Sequence, residues 1–303
     1  MAPNPNPNPS PSPAPDPQAA PDLAVVVVNY NAGEHLLACL TSVLATADDA
    51  TLEVVVVDNA SRDGSAQAAA ERFPEVRVIE TGTNRGFAAG VNVGLRATTA
   101  PFAFVLNPDA EVSTGTLGAL VKLAGERPRA GLLGPLIRNA DGSLYPSGRT
   151  FPSITQAVGH AFLGPFDPNN HWTRTYTMAG WDRTTERVVD WVSGSAMLLR
   201  RGALDQVGLL DEGFFLYGEE LDLCTRLRDA AWQVVFTPEV EVTHVGGVST
   251  GRSRRMNLIH SRSIYRYYRK HRAHGWRRAL LPFAWVALRL RAEIVSMTRR
   301  RTP

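Results

Sequence analysis

The chain has 303 residues, 44% hydrophobic and 20% charged, with a formal net charge of +3. This is the composition of an ordinary globular protein with a real core, long enough for one large α/β domain with appended pieces. Its two cysteines, Cys39 and Cys224, leave no disulfide framework and fit a reducing, cytoplasmic setting, each reading as a small buried apolar residue rather than a thiol catalyst.

Residues 1–21 are a string of Asn-Pro, Ser-Pro and Ala-Pro pairs. Proline this dense removes backbone donors and blocks helix, so a disordered, extended tether with no catalytic role is expected. No basic segment followed by an apolar one opens the chain, which argues against a signal peptide. Order is expected from Leu23. Ala24–Val28 is a continuous β-branched run, the mark of a strand buried on both faces. Leu36, Leu37, Leu40, Val43 and Leu44 then recur at helical spacing. Val54–Val57 predicts a second buried strand ending in Asp58, followed by a helix over Ala66–Arg72 and a strand at Val76–Ile79. Phe102–Leu106 predicts a further strand, and Thr116–Glu126 a helix. Buried strands alternating with helices imply crossover units and a mainly parallel sheet, with ligands at the carboxyl ends of the strands.

Residues 140–185, rich in Gly, Pro, Asn and aromatics, have weak periodicity and read as long loops that shape a binding site. Regular structure is expected to return at Val188–Arg200 and in a helix over Leu221–Ala231. The end of the chain is basic. From Arg252 onward there are 15 Lys and Arg against one acid, Glu293, while the rest holds 17 basic and 28 acidic residues. An acidic body with a basic helical tail suggests an anionic surface as partner. The longest apolar stretch of the tail, residues 279–288, falls short of the roughly 20 residues a spanning helix needs. The expected location is therefore cytoplasmic, peripheral at the inner face of the membrane. Phe283, Ala287, Leu290, Ile294 and Met297 share one helical face, with Trp285 and Leu288 opposite. Such a helix either packs on the body or lies in a lipid interface.

Six polar clusters carry potential chemistry. Asn29-Tyr30-Asn31 and Asp58 to Ser65 follow the first two strands; Asp63 and Ser65 suit a helix cap, whereas Asp58 at the strand end suits a pyrimidine base. In Asn84-Arg85-Gly86-Phe87, glycine permits close backbone approach and Arg85 suits a phosphate. Asn107-Pro108-Asp109 puts a carboxylate directly after a buried strand, a natural ligand for Mg²⁺ or Mn²⁺ on a diphosphate. Residues 211–222 gather Glu219, Glu220 and Asp222 beside aromatics and glycine. His244 precedes a small glycine-rich loop.

In order and spacing these clusters, ending in Phe-Phe-Leu-Tyr-Gly-Glu-Glu-Leu-Asp-Leu-Cys, resemble family 2 glycosyltransferases, and within them the rhamnosyltransferase-like branch. The likeness covers about residues 23–250. It divides the chain into the tether at 1–21, a GT-A glycosyltransferase domain at 22–250 and the basic helical tail at 251–303. It implies a GT-A fold, a Rossmann-like α/β domain with a mainly parallel sheet. It also implies inverting transfer from a nucleoside-diphosphate sugar, best dTDP-rhamnose, to a hydroxyl of a glycan or polyprenyl-linked acceptor. By resemblance, Asn29, Asp58, Arg85 and Asn107 meet the donor, Asp109 and His244 hold Mg²⁺ or Mn²⁺, and Glu220 is the general base. Glu219, Asp222 and Trp191 are candidates for the acceptor site. Two departures stand out: Asn107 replaces the first Asp of the family's DxD motif, and Glu219-Glu220 replaces Glu-Asp. The competing readings are a non-catalytic nucleotide-sugar or glycan-binding protein of the same fold, and a nucleic-acid binder using the arginine-rich tail. Asp109 and Glu220 together oppose the first. The acidic body and the lack of any nucleic-acid motif oppose the second, so no nucleic-acid partner is expected.

Overall fold

A computed structural model describes residues 20–46, 50–164, 167, 169–246 and 253–298. All but the last two residues of the expected proline-rich tether lie outside them. The described chain is a mixed α/β fold around one sheet, ordered β3-β2-β1-β4-β9-β6-β10-β5. β1 (Leu23–Asn29), β2 (Leu52–Asp58), β3 (Arg77–Glu80) and β4 (Phe102–Leu106) form a parallel block. Every residue of β1 is buried, because strands flank it and helices cover both faces. Its valines alternate accordingly. Val25 and Val27 join a core with Leu36 and Leu40 of α1 (Glu34–Leu44) and Leu117 and Leu120 of α4 (Thr116–Glu126). Val26 and Val28 join the opposite core, with Val91 and Leu95 of α3 (Phe87–Arg96). α2 (Ser65–Arg72) links β2 to β3.

Beyond the parallel block the sheet turns mixed. β9 (Ala196–Arg200) runs antiparallel between β4 and β6 (Ala130–Asn139). β10 (Gln233–His244) is parallel to β6 and antiparallel to β5 (Ala110–Val112) and to β8 (Arg187–Val189). A short β7 (Leu144–Tyr145) pairs with β6. Through these pairings the long β10 delivers its last residue, His244, opposite Ala110, beside the end of β4.

The stretch at 140–185 is not all loop. It contains α5 (Ile154–Leu163) and α6 (His171–Tyr176). α5 opens with a capping box, in which the Gln156 N–H donates to Ser153 Oγ at 3.1 Å and the Ser153 N–H to Gln156 Oε1 at 2.9 Å. α7 (Arg201–Val207) and α8 (Glu219–Asp229) follow.

The tail folds as two helices joined by a 3₁₀ turn over Gly275–Leu280. α9 (Arg254–His271) packs on α8, buries Tyr267, and meets Thr225 through the Tyr267 hydroxyl at 3.1 Å. α10 (Leu281–Thr298) packs on α9 through Trp285, whose ring lies 5.1 Å from that of Tyr265, and through Leu288, whose carbonyl accepts from Ser261. The faces expected for Trp285 and Leu288 against Phe283 and Leu290 are both present. The former pair turns toward α9, while Phe283, Val286 and Leu290 are 74%, 56% and 59% exposed. The side chains of Ile294 and Met297 lie outside the described residues. Among the described residues no helix is long and apolar enough to cross a membrane.

Candidate active site

β1, β2 and β4 are parallel and adjacent, so the polar residues after them meet at one edge of the sheet. The cleft there has a volume of about 560 Å³ and is lined by Tyr30, Asn84, Asn107, Asp109, Tyr217 and His244, among others. Asp58 is 5% exposed and is not among its lining residues, though the adjacent Asn59 is. The Asp58 Oδ1 accepts from Asn29 Nδ2 at 2.8 Å and its Oδ2 from the Ser61 N–H at 3.0 Å. Asn29 is fully buried and also donates to the Ser61 and Ser65 hydroxyls. Asn29, expected at the donor, thus braces Asp58 through its amide nitrogen.

The Asn84-Arg85-Gly86-Phe87 segment also works differently from the expectation. The Gly86 φ is 93°, and a Cβ there would collide with the Phe215 backbone. The Phe87 N–H donates to the Phe215 carbonyl at 2.7 Å, and Asn59 Nδ2 to the Gly86 carbonyl at 2.9 Å. The glycine thus allows one loop to seat on another, not on a phosphate. Arg85 is turned away to Glu212, 3.0 Å off, and Glu212 also binds Asn92 and Arg96. Arg85 does not line the cleft.

Asn107, Asp109 and His244 do come together. His244 Nε2 lies 3.2 Å from Asp109 Oδ1 and 3.1 Å from Asn107 Nδ2. Asp109 is buried apart from its edge on the cleft, held by the turn in which the Ala110 N–H donates to the Asn107 carbonyl. Among the described residues no three His, Cys, Asp or Glu side chains gather as a self-sufficient metal site. A carboxylate and an imidazole side by side suit a cation that draws its remaining ligands from phosphate and water.

Three carboxylates open α8, and each meets a different fate. Asp222 is fully buried and bonded by Arg226 at 2.8 Å, Lys270 at 2.6 Å and His271 at 2.7 Å. Burial alone would raise its pKa, but His271, Lys270 and Arg226 overcome that and bring the carboxyl down to about 2. It fastens α9 to α8 and is not among the residues lining the cleft or the cavity beside Glu220. Glu219 is 3% exposed, and its Oε2 has no hydrogen-bond partner. Burial, with repulsion from Glu220, pushes its carboxyl well above the usual range. It too is not among the residues lining either space.

Glu220 alone opens into one. That cavity of about 410 Å³ is bounded by Arg149, Trp191, Glu220, His260, Tyr268 and Arg291, among others. Burial raises the Glu220 pKa, while backbone N–H donors, notably Gly218 at 2.8 Å, and the charge of Arg149 work against the rise. Arg149 is enclosed by the rings of Tyr145, Tyr176 and Trp191, with its guanidinium carbon 5.4, 5.6 and 4.9 Å from their centroids. Trp191, expected at the acceptor site, thus forms part of the wall. Arg149, Tyr176, His260 and Arg291 escaped the sequence reading, since they lie in the weakly periodic segment and in the tail. Tyr145, Tyr217 and Met256 line both this cavity and the cleft. The two spaces are therefore neighbours across a shared wall. Tyr217 holds a φ of 68°, backbone strain of a kind that concentrates at functional sites.

Residues 24–208 match the family described as Glycosyl transferase family 2. The chain belongs to that family. It is 42% identical over 295 residues to the N-acetylglucosaminyl-diphospho-decaprenol L-rhamnosyltransferase of Mycobacterium tuberculosis, covering 92% of this chain and 94% of the relative. It is 29% identical over 140 residues to the rhamnosyltransferase WbbL of Escherichia coli K12, covering 46% and 50% of the two chains. In fold, this glycosyltransferase is similar to a mannosyltransferase from Pyrobaculum calidifontis, solved with GDP-Man and Mn²⁺. The TM-score is 0.56 at 19% identity, over 96% of this chain and 78% of that one. The glycosyltransferase carries its cysteines where thiol chemistry is disfavoured: Cys39 and Cys224 are fully buried, and burial pushes both thiols up.

Proposed function

We propose that the enzyme transfers L-rhamnose, with inversion, from dTDP-rhamnose to a sugar hydroxyl of a polyprenyl-diphosphate-linked N-acetylglucosamine. The observation that carries this reading is the shared wall. A cleft at the strand ends, with Asp109 and His244, adjoins a cavity whose one acid among its described lining residues is Glu220. The 42% identity to an enzyme named for that acceptor supports the choice of substrates.

In this reading the nucleoside lies toward Tyr30 and Asn84. Asp58, aimed by Asn29 and Ser61, accepts N–H donors of the base through its remaining lone pairs. Asp109 and His244 would hold Mg²⁺ or Mn²⁺, the Asn107 amide giving up His244 Nε2 to the ion. The ion would offset the charge growing on the departing nucleoside diphosphate. Glu220 accepts the acceptor hydroxyl's proton as that oxygen attacks the anomeric carbon. Its raised pKa suits a base operating near neutrality. Attack from the acceptor cavity on a donor held in the cleft inverts the centre in a single displacement.

The tail supports a peripheral position on an anionic membrane. Trp276, Leu280, Phe283, Val286 and Leu290 recur at helical spacing and are 46% to 74% exposed, with exposed Arg278 and Arg289 among them. Each arginine near such a surface adds about 1 kcal/mol of attraction.

The test is a panel of nucleotide sugars, dTDP-rhamnose, UDP-hexoses and UDP-galactofuranose, against the lipid-linked acceptor with Mg²⁺ or Mn²⁺ present. Transfer from dTDP-rhamnose that disappears in Asp109→Ala is the expected outcome. Turnover with a different donor corrects the sugar, and full activity in excess chelator removes the metal. For the tail, Phe283→Ser with Leu290→Ser should abolish sedimentation with anionic liposomes. Undiminished sedimentation would remove the membrane from the proposal.

A further inference from the structure

The cavity beside Glu220 holds more basic side chains than an uncharged sugar requires. Four basic side chains line it: Arg149, His160 of α5, His260 of α9 and Arg291 of α10. Glu220 is the single acid among its described lining residues. Arg149 sits in its aromatic box and donates to the Tyr145 hydroxyl at 3.1 Å. The other three reach the cavity from three different helices, two of them in the tail. The surroundings repel further positive charge. Burial, then Arg149 and Arg291, holds His160 proton-poor, and burial, Arg291 and His160 bring His260 down to about 4. A bound polyanion would reverse that balance and let the imidazoles take protons.

We propose that His160, His260 and Arg291 form a subsite for the diphosphate of the lipid-linked acceptor, next to the place where Glu220 meets its sugar. The proposal rests on the acceptor reading above and adds to it the residues that recognise the linkage. Arginine is suited to the task because its planar fork bonds phosphate oxygens in pairs. The position on α10 fits as well. Residues one apart on a helix point about 100° from each other, so Arg291 can face the cavity while its neighbour Leu290 faces outward, 59% exposed. A diphosphate held by Arg291 would then sit where the prenyl chain leaves for an apolar surface.

A second basic groove, of about 680 Å³, runs along α9 between Arg255, Arg262 and Arg269. No acid that could act as a base is among its described lining residues. Its Arg254 and Arg266 are occupied by Glu293 and Asp211. It serves as the internal control.

The experiment compares two acceptors in the full chain: N-acetylglucosamine linked through diphosphate to a short prenyl chain, and the octyl glycoside of the same sugar. Wild type should prefer the first. In Arg291→Gln and His260→Gln, the KM for the diphosphate acceptor should rise about ten- to a hundredfold relative to the KM for the octyl glycoside, the scale of one or two charge-assisted bonds. Arg291→Lys should recover part of the ratio, and Arg262→Gln should leave it alone. An unchanged ratio in Arg291→Gln, equal loss on both acceptors, or loss confined to Arg262→Gln overturns the subsite. A wild type that uses neither acceptor refutes the acceptor reading instead, and a binding measurement then decides the subsite. With dTDP saturating the donor cleft, inorganic pyrophosphate should raise the melting temperature of wild type but not of Arg291→Gln. Absence of that shift in wild type overturns the proposal.

Discussion

The cleft at the strand ends draws most of its side chains from strand ends and turns, joined by Arg255, Met256 and Ile259 of α9. The cavity beside Glu220 is assembled mostly from α5, α6, α8, α9 and α10, closed by Tyr145, Arg149 and Trp191. The first is held by backbone pairing and by short bonds such as Asn29 to Asp58. The second is held by side-chain anchors, above all Asp222 with Arg226, Lys270 and His271. With donor in the cleft and acceptor in the cavity, as proposed, the difference teaches that one enzyme can keep a stiff, generic donor half and still acquire a particular acceptor through its insertions and tail.

The sharpest way to break this division is at α8, where adjacent carboxylates serve different ends. Glu220→Gln keeps size and hydrogen-bonding reach but cannot take a proton. It should lower kcat by about 10²–10⁴-fold while leaving donor affinity and melting temperature near wild type. If it retains normal turnover while Asp222→Asn loses it without loss of stability, the base is Asp222. Otherwise Asp222→Asn should act on the fold, because it strips the charge that pairs Arg226 and Lys270 and that His271 bonds. Loss of about 3–5 kcal/mol in denaturant unfolding is expected, with donor binding intact in the fraction that remains folded. Recovery of that loss by a second change at Lys270 would show how much of it is unpaired charge.

These contrasts follow the line between what could and could not be read in the sequence. Strand ends announce themselves: a valine run such as Val54–Val57 closing on Asp58 has one register, and Asp109 after Leu106 has nowhere else to go. Acid roles at α8 depend on which partner each finds, and Lys270 and His271 lie far along the chain. Asn29 and Arg85 stood in motif positions yet were taken up by Asp58 and Glu212, since motif order does not say which atoms are already bonded. Arg149 and His260 had no local signal, because their meaning comes from rings and charges on other elements. The helix α5 did have one, the Ser153 and Gln156 box, within a segment whose glycines and aromatics suggested loop.

A subtler test uses pH. A base with a raised pKa loses activity as pH falls through that value, so the acid limb of kcat against pH should lie above the usual carboxylate range. Removing the charge of Arg149, which favours ionised Glu220, should move the limb further up in Arg149→Met. A limb that moves down would mean that Arg149 does not act on Glu220.

The smallest effect is expected at Glu219. Its folded pKa is raised above the unfolded one, so its favourable contribution is complete below the unfolded pKa and lost as pH rises through the folded value. Glu219→Gln should therefore gain melting temperature over wild type as pH rises, by a few degrees at most. Parallel curves from pH 5 to 9 would mean that Glu219 is not held neutral by its surroundings.

The contact between Gly86 and Phe215 has a consequence for how this chain can vary. A methyl group at Gly86 would meet main chain, and a main-chain clash cannot be relieved by trimming the opposing side chain. The two loops must therefore change together or not at all. Chimeras that exchange the acceptor half for that of another family member should work when the crossover carries both loops from one parent, and misfold when it parts them.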